Sequence, residues 1–224
     1  MTTATIGSLL RAPGKLALTL QDDRQAASLA GTSLACLVAG TAAFGAAVGS
    51  LRGGAQIAAA AVKMPLALLG ALIVACPAFF ALAAVFGRPM SVRSMTGLAL
   101  AAGARGALVL LACAPPLALA IDLGLPYDAT KLVAVAVYAL AGLCAFGLFA
   151  HGLGDGRGRA GALASMAVVL LLAGAQSAWI LRPFLGDPSD RHLAWWVQGE
   201  RREGGLGGAL LRSIERLATR RAAP

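Results

Sequence analysis

The stretch Pro65-Leu-Ala-Leu-Leu-Gly-Ala-Leu-Ile-Val-Ala-Cys-Pro-Ala-Phe-Phe-Ala-Leu-Ala-Ala-Val-Phe86 runs for 22 residues without a single charged side chain. Coiled as a helix rising 1.5 Å per residue, it extends ~33 Å, enough to cross a hydrocarbon core about 30 Å thick. Residues 27–48, 98–121, 132–150 and 162–181 repeat the pattern, and among these four stretches only Arg105 carries charge. Without water, every backbone N–H and C=O must find its partner inside the segment, so each stretch is expected to be a helix. Short alternating strands, the mark of an outer-membrane barrel, do not occur. The reading is an all-α, polytopic transmembrane helix bundle of about five spans, flanked by interfacial amphipathic helices.

The composition agrees. Of 224 residues, 58% are hydrophobic and 13% charged, and the mean hydropathy is +0.77. A soluble domain has about 45–50% apolar and roughly 25% charged residues. These values exclude a soluble enzyme, a nucleic-acid-binding domain and a disordered chain. The net charge of +9 is then read as loops lying beside anionic lipid.

Three regions follow: an N-terminal interfacial segment (1–26), the five-span bundle (27–182) and a basic tail (183–224). Residues 6–20 mix Leu and Ile with Arg11, Pro13 and Lys15 and suit a helix lying on the interface. In the tail, Leu206, Leu210, Ile214 and Leu217 recur at helical spacing, with Arg212, Glu215, Arg216 and Arg220 mainly off that stripe. Such a basic amphipathic helix fits a membrane surface or a partner groove. Acidic residues precede the first long apolar run, so no cleavable signal is expected. Residues 53–64 form either an interfacial helix, a re-entrant segment or a sixth crossing. Counting Lys and Arg beside short loops places the N-terminus in the cytoplasm and the tail outside, whereas six spans would put both basic ends inside.

Few residues have the makings of chemistry. Cys36, Cys76, Cys113 and Cys144 sit one per hydrophobic block, and His151 and His192 stand apart from them. Metal sites need tighter clusters, so no catalytic group, metal or cofactor is assigned, and the chain is read as not an enzyme. Arg105 lies either inside span three or at its edge, because 106–123 is itself almost a full crossing; inside, it needs a partner or a purpose. Lys63 precedes Met64 and Pro65 and reads as a topology marker at the start of span two, with Pro65 in the first helical turn. Pro77, Pro115 and Pro116 remove helical donors, freeing the carbonyls of Ile73, Leu111 and Ala112. Gly45 and Gly49 form a small-xxx-small face, a weak pointer to dimerisation in so Ala- and Gly-rich a chain.

The most specific run is Gly174-Ala-Gln-Ser-Ala-Trp-Ile-Leu-Arg-Pro-Phe-Leu-Gly-Asp-Pro188. Trp179 suits the headgroup level and Arg182 the negative end of the helix dipole. Pro183 stops the helix, Phe184 follows, and Gln176 needs a hydrogen-bond partner deeper in the span. Together with residues 49–56 and 62–66 and the Cys76-Pro77 pair, this run resembles an uncharacterised group of bacterial multi-pass inner-membrane proteins. That group is similar in hydropathy to the Yip1-type five-span family. The resemblance implies a bacterial cytoplasmic membrane location and a five-helix bundle, and it implies no activity. The group continues with an Asn-aromatic pair that Glu203-Gly204-Gly205-Leu206 lacks.

The expected partners are the lipid bilayer and either a membrane-protein partner or a second copy, with no nucleic acid. The leading expectation is a non-enzymatic scaffold or accessory of a membrane complex. The alternative is a small transporter or channel for a polar or anionic solute, using Arg105 and Gln176 with Pro-kinked spans two and three.

Overall fold

The computed structural model describes residues 23–181 and the single position Gly7, with side chains from Leu29 to Gln176 in the helical region. The interfacial helix expected at 6–20 and the basic tail lie outside the described residues. Among the described residues five helices follow one another: α1 (Asp23–Gly49), α2 (Ala55–Val85), α3 (Val92–Asp122), α4 (Tyr127–Gly152) and α5 (Arg159–Leu181). Each is long and apolar enough to cross a membrane, and no strand occurs among the described residues. The chain is an all-α multi-pass membrane protein.

Local chemistry sets the helix ends. Ser91 caps α3 by accepting a 3.1 Å hydrogen bond from the Ser94 N–H, satisfying a donor that the first turn leaves orphaned. Helix α2 ends at Gly87, whose φ of 71° suits a residue without Cβ. There the Arg88 N–H reaches the Ala83 carbonyl (2.7 Å) and the Gly87 N–H reaches Ala84 (3.0 Å). That is the paired closure of a Schellman motif. Gly124 ends α3 in the same way, with Leu125 bonding to Ala120 and Gly124 to Ile121.

The turns at 50–54 and 123–126 lie at one end of the bundle, here the Arg52 end; those at 86–91 and 153–158 lie at the other, the Arg88 end. α1 and α3 run parallel and share the most extensive interface, although α2 separates them in sequence. α2 packs antiparallel on α1, α4 on α3, and α5 on α2, with a lighter contact between α2 and α3.

Glycines permit this closeness. A methyl placed on Gly40 would stand 2.8 Å from the Ala107 carbonyl carbon of α3. On the other side of α1, one on Gly45 would stand 2.8 Å from Met64 Cγ, and one on Gly49 2.8 Å from the Gln56 carbonyl oxygen of α2. The Gly45/Gly49 face is therefore occupied within the chain, by α2. Helix α1 is a wedge with glycine on both of its packed faces, joined to its neighbours by close backbone approach.

Two clusters fill the interior. Toward the Arg88 end, Leu37, Leu72, Phe79, Met95, Leu98, Leu148, Phe149 and Met166 pack together, with Phe79 and Phe149 edge-to-face at 5.1 Å. Toward the Arg52 end, Phe44, Val48, Met64, Leu110, Leu117 and Ile121 form the second cluster. Phe44 meets Tyr138 edge-on at 5.5 Å.

The structure departs from the sequence reading in α2. Residues 55–64 neither cross separately nor lie on the interface; they are the first turns of α2, continuous through Pro65. Their alanines favour a helix, and the flat Gly45/Gly49 surface gives that helix something to pack on. Pro65 is thus inside the helix rather than in its first turn, and it withholds an N–H from the Ala61 carbonyl.

Candidate functional site

The polar and charged side chains inside so apolar a bundle are its chemically distinctive groups, because each costs free energy to bury. Lys63 is the most enclosed cation among the described residues, 2% exposed on α2 beside Met64. It does not mark a loop, as its position before Pro65 suggests, because α2 begins two turns earlier. Gln56, Ser33, Thr41 and Thr130 are also buried. Thr41 donates to the Leu37 carbonyl at 2.7 Å and Thr130 to the Pro126 carbonyl at 3.1 Å. Both hydroxyls are satisfied by their own helix, which marks them as structural. Tyr138 donates to Met64 Sδ at 3.0 Å, tying α4 to α2 next to Lys63.

Arg105 lies near the middle of α3, thirteen residues after Val92 and seventeen before Asp122. At 1.5 Å per residue that is ~20 Å from one end and ~25 Å from the other. Its neighbours fix the depth. Gly103 packs on Leu37 and Leu72, and Gly106 on Ala141 and Ala145, all well inside their helices. Exposed apolar side chains flank this level on both sides: Ile73, Phe80 and Val85 toward the Arg88 end, Val133, Leu119 and Leu123 toward the Arg52 end. Arg105 thus stands near the middle of α3 rather than at its end. Arg105 is half-buried, and no hydrogen bond or ion pair reaches it among the described residues.

Pro77 lies inside α2, and Pro115 and Pro116 inside α3. All three are exposed, as are Ile73, Leu111 and Ala112, whose carbonyls lose their donors to them. Gln176 is exposed on α5. α5 packs on α2 and shares no extended interface with α3, so Arg105 and Gln176 are not brought together. Trp179 belongs to α5, and its side chain is not described. Arg182, Pro183 and Phe184 lie outside the described residues.

Sequence reasoning passed over two further polar clusters. At the Arg88 end, the Arg88 guanidinium reaches across to the turn after α4. It donates to the Leu153 carbonyl and, at 3.2 Å, to that of Gly154. Arg159 pairs with Asp155 and donates to the Ala150 carbonyl at 3.2 Å. Both loops at this end are thereby laced together. At the Arg52 end, Lys131 Nζ stands 3.1 Å from Asp128 Oδ1 and 4.5 Å above the Tyr127 ring. The contact with Asp128 is an ion pair without hydrogen-bond alignment, since Oδ1 is buried and accepts no hydrogen bond. In sequence these arginines and this lysine look like ordinary loop cations; the only signal was the glycine run 152–158, which lets a turn come close to Arg88.

The four cysteines are free thiols, each partly buried. Among the described residues no group of three or more His, Cys, Asp and Glu side chains is placed to hold a metal ion. No family model, no curated protein and no solved structure matches the chain.

Proposed function

We propose that the protein is a non-enzymatic integral membrane component that holds or assists other membrane proteins through its lateral helix faces. The observation that carries this reading is the closure of the interior. At Gly49, Gly45 and Gly40 neighbouring helices meet with no room for an added methyl, and Gly103 and Gly106 are also closely approached. A solute path along these interfaces would require the helices to part. The transport alternative needs Arg105 and Gln176 on one route, and the helices that bear them share no extended interface.

The orientation proposed is N-terminus inside. With Lys63 withdrawn into α2, the Arg88 end carries Arg88, Arg93, Arg157 and Arg159 near its turns, whereas the Arg52 end keeps Arg52 and Lys131. The side richer in Lys and Arg faces the cytoplasm. The basic tail would then leave on the opposite side. The Yip1-type resemblance and a bacterial membrane stand as proposals beside this one, carried by the 174–188 run.

The test is purification in mild detergent from native membranes, followed by mass spectrometry of the intact species. A second polypeptide in fixed stoichiometry is expected. A lone chain under conditions that preserve other membrane complexes would overturn the scaffold reading.

A further inference from the structure

Arg105 sits near mid-helix on a half-covered face: Leu98, Ala101 and Ala102 toward the Arg88 end are buried, and exposed side chains follow toward the Arg52 end. A guanidinium at the centre of a bilayer is costly enough that such residues face a bundle interior, pair, or mark a functional contact. Snorkelling serves basic residues near helix ends, and Arg105 is more than three turns from either end of α3.

The face on which it lies continues toward the Arg52 end. Leu108, Ala112 and Leu119 follow at i+3, i+7 and i+14, on one side of the helix. Ala112 and Leu119 are exposed there, as are Pro115 and Pro116 between them. The prolines leave the Leu111 and Ala112 carbonyls without their helical donors. The stripe thus presents a cation with no counter-charge among the described residues, beside two carbonyls lacking helical donors. Small Ala112 allows close approach.

The charge decides what fits. Among the described residues the acidic side chains stand away from the middle of the helices: Asp23, Asp122 and Asp128 at helix ends and Asp155 in a turn. The described helices of a second copy therefore offer no carboxylate at the depth of Arg105. We infer that the α3 stripe from Arg105 to Leu119 docks a transmembrane helix of a different protein, one bearing an Asp or Glu at mid-membrane that pairs with Arg105. The inference rests on the scaffold reading and adds the chemistry of the partner.

The experiment uses the full chain in phosphatidylcholine vesicles with a labelled Leu/Ala transmembrane peptide carrying one central Asp, and matching peptides with Asn or Leu there. Association is followed by energy transfer. The Asp peptide is expected to associate about tenfold more strongly than the Leu peptide, the factor that an interhelical polar contact in lipid supplies. Arg105→Met and Arg105→Gln should both abolish the preference, while Arg105→Lys keeps part of it. An Arg105→Asp chain should turn the preference toward a central-Lys peptide. Equal association of Asp and Leu peptides, or a preference that survives Arg105→Met, overturns the proposal. So does loss of the Asp preference when phosphatidylglycerol is added, which would make a lipid phosphate the occupant. Failure here leaves the scaffold reading standing if a stoichiometric partner still co-purifies; absence of any partner removes both.

Discussion

Replacing Gly45 by Ala tests the wedge role of α1 most directly. The added methyl would meet Met64 Cγ at 2.8 Å and the Ala60 carbonyl carbon at 2.9 Å. Ordinary carbon contacts are about 3.5–4.0 Å, so α1 and α2 must separate by several tenths of an ångström or more. The Ala60 backbone cannot rotate out of the way as a side chain can. Overpacking of this kind costs about 1–3 kcal/mol. For a chain of this size that corresponds to a fall of roughly 2–12 °C in the midpoint of thermal unfolding in detergent. Gly142→Ala is the control, because its position faces open space. There the same methyl only improves helix propensity, by up to about 0.8–1 kcal/mol, so its midpoint should rise or stay. The two substitutions are chemically identical, and opposite signs isolate packing from propensity. A common sign for both would refute the close approach of α1 to α2. So would a Gly45→Ala chain that keeps its midpoint but changes oligomeric state, since the face would then lie between copies.

Other outcomes follow from the polar contacts. Arg88→Ala removes two charge-assisted bonds to the turn after α4 and should cost about 1.5–3 kcal/mol per bond lost at most; limited proteolysis should then cut first within residues 153–158, and unchanged resistance would count against the clasp. Tyr138→Phe should cost no more than about 1 kcal/mol, the scale of one weak hydrogen bond, whereas Phe44→Ala should cost about 3–5 kcal/mol by emptying the second core cluster; equal effects in chemical unfolding would contradict the assigned packing. In a chain whose native cysteines are replaced by Ala, a cysteine at Lys63 should react far more slowly with a water-soluble maleimide than one at Arg52, because Lys63 is enclosed; similar rates would argue that 55–64 lies on the surface. With the same reagent added outside sealed cells, Arg52→Cys should be labelled and Arg157→Cys spared, and the reverse pattern would invert the proposed orientation.

How far the sequence speaks depends on which force shapes each part. The five helices were legible because hydrocarbon thickness and backbone hydrogen bonding set their length and class, and both are written in hydropathy. The start of α2 was not. Residues 55–64 are Ala-rich and uncharged up to Lys63, a composition that suits an interfacial helix and a buried one equally, and only the Gly45/Gly49 surface decides between them. The use of that glycine pair was hidden too, since small residues four apart abound in this chain and do not say which helix they meet. Arg105 was recognised as unusual, but its depth depended on where α3 begins, which the Ser91 cap fixes. Arg88 was overlooked because a loop arginine carries no sequence trace of the carbonyls it binds.

The pairing of α1 with α3 bears on how the molecule is assembled. Helix α1 meets its principal companion only after the whole of α2 has been synthesised. Until then the nascent hairpin of α1 and α2 carries a bare glycine edge at Gly40, cut to the shape of an absent neighbour. Arrival of the third helix fills that notch, so the early products of synthesis are open halves and the wedge is locked from one side by a latecomer.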